Sequence, residues 1–168
     1  MENRRAGLVE RRHPVYKILI SSCVYGNNVR WNGTNRENDP IKIWAKENSF
    51  ELIPVCPEDE LFSTPRSPIR MTYDSTIQAI SAGIDIYDDL IDKCEEIIAR
   101  YPGAVGFIGI ARSPSCGVSV GVRNLGKVIK GPMHMKARFP TTEISSMNSE
   151  KNRDLFLSRI KKYIANND

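Results

Sequence analysis

Three of the four cysteines stand where a strand-like segment of the sequence gives way to a polar loop. They are Cys23 after the segment 16–22, Cys56 after 50–55, and Cys116 in the loop that follows the apolar segment 104–110. Thiolates are soft ligands that suit zinc or an iron–sulfur cluster. A set of three leaves one coordination position open, which is typical of catalytic rather than structural metal sites.

The loop after the third of these segments combines reactive side chains with residues that shape the backbone. It reads Ala111-Arg112-Ser113-Pro114-Ser115-Cys116-Gly117. Cysteine prefers burial and serine prefers to bond local backbone groups, so packing alone does not require this combination. Pro114 and Gly117 fix a tight path and allow the backbone to approach a ligand closely. Gly117 is therefore a candidate substrate-binding residue.

The segments that lead to the cysteines alternate with helical patterns. A helix is predicted near 39–48, with Asp39 as its N-cap and Pro40 in its first turn. Strands that alternate with helices imply an α/β fold, here a Rossmann-like, open, mostly parallel sheet with flanking helices in a single domain. If the first strand lies between the other two, the three thiols meet at the carboxyl ends of the strands, where such sheets bind ligands.

Periodicity and turn residues predict the remaining elements. Residues 57–75 are expected to form a long loop, and 75–100 a helical region that Gly83 breaks in two. An apolar stripe in that region contains Cys94, which we interpret as a small buried hydrophobic residue. The later elements are a short strand at 127–129, a short helix near 132–138, a strand at 141–146 and an amphipathic helix through 156–164.

Composition restricts the classes of protein that this sequence can belong to. The chain has 168 residues, 40% hydrophobic and 26% charged, which is typical of a folded domain and excludes low complexity. A net charge of +4 permits an anionic partner without predicting a nucleic-acid protein. Residues 1–14 are predicted to be a flexible basic arm before one domain at 15–168. No membrane span or signal segment is recognised, so we expect a cytoplasmic protein with free thiols.

Two other interpretations of the cysteines stay open at this point. One treats them as unrelated buried residues. The other places Cys23 in a nucleophilic loop of the small-phosphatase or arsenate-reductase kind, with Arg30 closing on an oxyanion. Such loops need five residues between cysteine and arginine, whereas six separate Cys23 from Arg30. A phosphatase-like cysteine enzyme is therefore kept only as an alternative.

Four motifs occur in order along the chain. They are Ser21-Ser22-Cys23 with Val29-Arg30, Pro54-Val55-Cys56-Pro57-Glu58, Pro65-Arg66-Ser67-Pro68-Ile69-Arg70 and Arg112-Ser113-Pro114-Ser115-Cys116-Gly117. Together they resemble the thiouracil desulfidase family, an iron–sulfur desulfidase domain formerly catalogued as a domain of unknown function. The resemblance extends over about 16–165, and its C-terminal part is similar to the corresponding domain of the fused tRNA 4-thiouridine desulfidases. The segment 59–63 departs from a more glycine-rich stretch of the family.

The resemblance implies both a cofactor and a reaction. The cofactor is a 4Fe–4S cluster held by Cys23, Cys56 and Cys116, with the fourth iron open to the sulfur of the substrate. The catalytic acid/base falls on Glu58, and a catalytic serine on Ser113 or its neighbour Ser115. The implied reaction is a non-redox desulfuration that turns the C=S of a thiolated pyrimidine, of the 2-thiouracil or 4-thiouridine type, into C=O and releases sulfide.

Substrate size and partners are open from the sequence. Arg30, Arg66 and Arg112 are candidate substrate-binding residues, because guanidinium groups pair with phosphates and base edges. We expect a free base or nucleoside as substrate, with tRNA as the alternative. Zinc is the alternative cofactor, a homodimer is left open, and a non-catalytic tRNA-binding module with a structural metal is the alternative function.

Overall fold

The computed structural model describes residues 14–168, and the arm predicted at 1–14 falls almost wholly outside them. The strands are β1 (Tyr16–Ser21), β2 (Phe50–Val55), β3 (Ile69–Asp74), β4 (Thr76–Ser81), β5 (Ile84–Asp85), β6 (Ala104–Gly109), β7 (Val120–Gly121), β8 (Val128–Ile129) and β9 (Thr141–Glu143). The helices are α1 (Ser22–Tyr25), α2 (Asp39–Glu47), α3 (Pro57–Phe62), α4 (Tyr87–Arg100), α5 (Pro132–Lys136) and α6 (Glu150–Asn167), with a 3₁₀ turn at Ser146–Asn148.

A parallel sheet of four strands in the order β2-β1-β6-β9 forms the centre of the fold. The predicted α/β class and the central position of β1 are thereby confirmed. Ser21 at the end of β1 lies opposite Val55 at the end of β2, so these two strands finish at the same level. Pro54 is tolerated in β2 because that strand lies at the edge of the sheet, where a missing N–H breaks no ladder.

Helices cover both faces of this sheet because its strands alternate their buried side chains. Ile18 and Ile20 point to one face, where they pack with residues of α2 and α6 such as Trp44 and Phe156. Leu19 points to the other face and packs with residues of α4 and α5. The result is a three-layer domain whose core lies on both sides of β1 and β6.

A second, antiparallel sheet of β3, β4 and β5 replaces two predicted elements. The prediction of a loop over 57–75 was wrong, because α3 and β3 lie within it, and the helix predicted from 75 begins only at Tyr87. Gly83 does not break a helix. Ala82 and Gly83 both have positive φ and form the two-residue turn between β4 and β5, which is the geometry that antiparallel hairpins favour.

Smaller corrections concern the ends of elements. The cap of α2 is Asn38, whose side chain accepts a hydrogen bond from the Ile41 N–H at 3.0 Å, and not Asp39, which lies inside the helix. In α4 the buried residues are Leu90, Cys94 and Ile97, so the predicted burial of Cys94 on an apolar stripe is confirmed. None of the helices within residues 14–168 is long and apolar enough to cross a membrane.

Candidate active site

A cavity of about 380 Å³ opens at the carboxyl ends of β1, β2 and β6. Cys23, Cys56 and Cys116 all contribute to its wall, together with Glu58 and Ser113. The strand ends therefore bring together the three cysteines that the sequence singles out. Cys94 is absent from the wall, being fully buried in α4.

Each cavity cysteine is held by a different local structure. Cys23 lies in the single turn of α1 that follows β1 directly. Cys56 caps α3, where its sulfur accepts a hydrogen bond from the Asp59 N–H at 3.4 Å. Cys116 lies in the irregular loop after β6, and its N–H donates to Ser113 Oγ at 3.0 Å. The hydroxyl of Ser113 thus fixes the backbone of the loop at Cys116.

The loop of Cys116 packs against the end of β6 and is hydrogen-bonded to the start of α5. Three successive carbonyls accept hydrogen bonds: Ser115 from Met133 N–H at 3.0 Å, Cys116 from His134 Nε2–H at 2.7 Å, and Gly117 from Gly131 N–H at 2.8 Å. A Cβ on Gly109 would stand 1.9 Å from the Cys116 oxygen, so only glycine permits this approach. Burial lowers the pKa of His134, which is consistent with a neutral ring that donates from Nε2.

Burial keeps the three cavity thiols protonated when no ligand binds them. It raises the pKa of Cys23 to about 11 and of both Cys56 and Cys116 to about 12, and neighbouring thiols raise these pKa values further by charge repulsion. In residues 14–168, no three Cys, His, Asp or Glu side chains are placed so that they could hold a metal ion. The three thiols line one cavity wall but do not form a site for a single metal ion.

A hydrogen-bonded chain connects Glu58 with the two serines. Ser115 Oγ donates to Glu58 Oε2 at 3.3 Å, and the hydroxyls of Ser113 and Ser115 are 3.3 Å apart. Ser115 Oγ also lies 3.5 Å from the Cys116 sulfur, so this hydroxyl connects Glu58, Ser113 and Cys116. Burial raises the pKa of Glu58, against the opposing charge of Arg66 and the bond from Ser115. A carboxylate with a raised pKa in a cleft is suited to general acid–base chemistry.

The structure distinguishes the two serines by position. Ser113 lines the cavity, whereas Ser115 is fully buried behind the wall. Ser113 can therefore touch a bound molecule, while Ser115 acts on Glu58 and Ser113. The sequence alone left this choice open.

Positive charge surrounds the cavity mouth. Arg30, Arg66 and Arg112 all line the cavity, as the sequence predicts, and Arg36 joins them. Glu58 is the acidic residue in the same wall. An excess of guanidinium groups over carboxylates favours an anionic or carbonyl-rich ligand.

One predicted substrate-binding residue falls outside this cavity, and one residue of the wall was not predicted. Gly117 does not line it, and its N–H and C=O bind Ser113 O at 2.9 Å and Gly131 N at 2.8 Å instead. Trp31, by contrast, is half exposed at the cavity wall and was not predicted to be a site residue. An aromatic residue inside a loop of turn-forming residues (26–33) was the signal that could have identified it.

The fold and the cavity define an α/β domain with a cysteine-lined site at the switch between its strands. Its structure is similar to that of the [4Fe-4S]-dependent thiouracil desulfidase TudS, with a TM-score of 0.65 and 21% sequence identity over 85% of this chain and 98% of that chain. At this identity the likeness shows a shared fold. The family model for 2-thiouracil desulfurase matches residues 18–150, and the chain belongs to that family. A search of curated proteins found no match.

Cys94 offers a test of which thiols belong to the site. It packs in the apolar cluster that also contains Cys116, yet it does not reach the cavity. We expect Cys94→Ala to lower the free energy of unfolding by about 1–3 kcal/mol, since it removes a buried group from a packed core. Bound iron and turnover per folded molecule are expected to stay at the wild-type level. Loss of iron from a variant with an intact circular dichroism spectrum would refute this assignment.

Proposed function

We propose that this protein removes sulfur from a thiolated pyrimidine, converting C=S to C=O and releasing sulfide, with a 4Fe–4S cluster held by Cys23, Cys56 and Cys116. One observation carries the proposal. The three thiols share a cavity with the carboxylate of Glu58 and the hydroxyl of Ser113. Family membership over residues 18–150 supports the reaction, and the cofactor in the name of TudS supports the cluster.

The residues of the cavity fit a cluster better than a single ion. A zinc ion bound at about 2.3 Å needs its sulfur ligands about 3.8 Å apart, and no group of residues within 14–168 is set for that. A cluster of four irons is larger than one ion and is held by cysteine thiolates. The wall of the cavity provides three cysteines that could hold it. When bound, the cluster supplies Lewis-acid chemistry at an iron that no protein thiolate holds.

The protein's own groups account for the proton transfers. Glu58 accepts a proton from a water molecule, whose oxygen attacks the thiocarbonyl carbon. Ser113 donates a hydrogen bond to the ring of the substrate or passes a proton, and Ser115 keeps Glu58 and Ser113 aligned. The C–S bond breaks as the C=O bond forms, so a thiocarbonyl and water give a carbonyl and hydrogen sulfide. No electron acceptor is required.

The arginines at the mouth support binding of a pyrimidine or its attached groups. Arg30 donates from Nη1 to Thr34 Oγ1 at 3.1 Å, and Arg66 donates to Thr64 Oγ1 at 2.9 Å, so both guanidinium groups are oriented before a ligand arrives. No salt bridge within residues 14–168 engages either of them. Their charge is available for base edges or phosphate.

The phosphatase-like alternative finds little support in the geometry. A cysteine nucleophile needs a depressed pKa, because the thiolate is the reactive form. Burial instead raises the pKa of Cys23 to about 11, and the nearby charge of Arg30 only partly opposes that effect. The alternative of a non-catalytic tRNA-binding module does not account for Glu58 in the wall of a thiol cavity.

Initial sulfide release from competing substrates tests the proposal. Anaerobically reconstituted protein is given 2-thiouracil, 4-thiouridine and thiolated tRNA at equal concentrations. We expect the free base or the nucleoside to react fastest, because a net charge of +4 is modest for a protein that grips tRNA. Release of sulfide from none of the three would overturn the proposed function.

Salt concentration separates the two substrate classes. A protein that neutralises several phosphates loses affinity steeply as salt rises, whereas the binding of a small base does not. We therefore expect rates with 2-thiouracil to change less than about threefold between 50 and 200 mM salt. A reaction confined to tRNA that collapses over this range would show that the substrate is the nucleic acid.

A further inference from the structure

The hydroxyl of Ser21 is an unusual group in the cavity wall. Ser21 is the last residue of β1 and is 2% exposed, yet it lines the cavity. Its Oγ is buried and has no hydrogen-bond partner among the described residues. A buried hydroxyl without a partner loses the hydrogen bonds that water would give it, so such groups are rare and call for an explanation.

The nearest explanation is the sulfur of Cys116. The Ser21 hydroxyl lies beside this sulfur in the wall of the same cavity, although it does not meet hydrogen-bond geometry. A neutral thiol is a weak acceptor, whereas a thiolate accepts strongly. The other hydroxyl beside Cys116 belongs to Ser115, at 3.5 Å from the sulfur, and its single proton is shared between that sulfur and Glu58. Ser21 is therefore the hydroxyl beside Cys116 whose proton has no other acceptor among the described residues.

We propose that Ser21 donates a hydrogen bond to the sulfur of Cys116 when that sulfur is a cluster-bound thiolate, and that this bond sets how long the cluster stays in the protein. The inference rests on the proposed function, because it requires a cluster on Cys116. Hydrogen bonds to ligand sulfurs hold the ligand in place and raise the reduction potential of the cluster. Ser21 is therefore a positioning residue, and the substrate need not touch it.

Release of iron to a chelator measures this role without any turnover. We expect the cluster of Ser21→Ala to be lost about 10–100-fold faster than that of the wild type, as for other partners of metal ligands. Its reduction potential is expected to fall. Ser21→Thr keeps the hydroxyl and is expected to restore both properties.

Ser22→Ala is the matched control. Ser22 is also a buried serine of the cavity wall, but its Oγ already accepts a hydrogen bond from Asn27 Nδ2 at 2.7 Å. We expect this variant to release iron at the wild-type rate. Equal release rates for Ser21→Ala and wild type, or equal acceleration by Ser22→Ala, would overturn the inference.

Melting of the cluster-free protein distinguishes this role from a structural one. Because the Ser21 hydroxyl is unpartnered without a cluster, Ser21→Ala should melt at the same or a higher temperature than cluster-free wild type. A lower melting temperature that accounts for the faster iron loss would assign Ser21 to the core and overturn the inference. Wild-type protein that takes up no cluster would overturn the proposed function itself, whereas a stable wild-type cluster unaffected by Ser21→Ala overturns this inference alone.

Discussion

Cys116→Ala is expected to purify without iron and to release no sulfide from 2-thiouracil. Cys116 is 4% exposed and is clamped through three successive carbonyls, so a neighbouring side chain cannot move into its place. Removing a residue that hydrogen-bonds to a metal ligand lowers metal affinity about 10–100-fold, and removing the ligand itself should lower it more. Iron content, the broad absorption near ~400 nm and initial rates measure the outcome.

Cys94→Ala supplies the matched comparison for this variant. Both substitutions remove a thiol from the same apolar cluster, so they should lower the free energy of unfolding by similar amounts. Of these two variants, only Cys116→Ala is expected to lose the cluster, because Cys116 lines the cavity and Cys94 does not. A Cys116→Ala protein that retains wild-type iron and activity would show that the cluster, if present, has other ligands.

That the three cysteines line one cavity was predictable from the sequence, because the carboxyl ends of parallel strands lie at the same edge of a sheet. Cys23 and Cys56 follow adjacent strands whose last residues, Ser21 and Val55, are paired. Cys116 is a harder case, since it stands seven positions after Gly109 at the end of β6. The hydrogen bonds that return its loop to the sheet come from residues 131–134, and no local pattern announces contacts so distant in sequence.

The antiparallel sheet shows where sequence reasoning failed and why. In β4 the side chains of Ile77, Ala79 and Ser81 alternate toward the interior with the period of a strand. The sequence nevertheless predicts a helix here, because a helical stripe begins a few residues later, in α4. The turn at Ala82 and Gly83 requires positive φ at both residues, and a non-glycine residue in the first position concealed it.

The residues of the cavity wall that sequence reasoning missed were missed for a shared reason. Trp31 and Arg36 lie in the segment between β1 and α2, whose path depends on tertiary hydrogen bonds such as Arg66 N–H to Trp31 O at 3.0 Å. The orphaned hydroxyl of Ser21 is likewise invisible in a sequence, because a partner is missing only in three dimensions. The sequence identifies residues whose side chains can do chemistry, but it does not show which other residues lie beside them in the folded protein.

Glu58→Gln is expected to lower turnover by about 10²–10⁴ while the cluster remains. Glutamine keeps the size of the side chain and can accept the bond from Ser115 Oγ, but it cannot take a proton from water. Burial already disfavours the charged form of Glu58, so the neutral replacement should not destabilise the fold. Single-turnover sulfide release, with iron content measured on the same sample, gives the result.

The control for this substitution lies in the same helix. Glu60 is also in α3, but it faces away from the cavity and pairs with Arg100 at 2.8 Å on the surface. Glu60→Gln removes an equivalent charge and breaks an exposed ion pair, which costs at most about 1 kcal/mol, and its turnover should equal that of the wild type. If both variants lost activity equally, the effect would reflect the helix and its charge. If Glu58→Gln turned over at the wild-type rate, another group would have to be the base, and Ser113, the remaining member of the chain that faces the cavity, would be the next to replace.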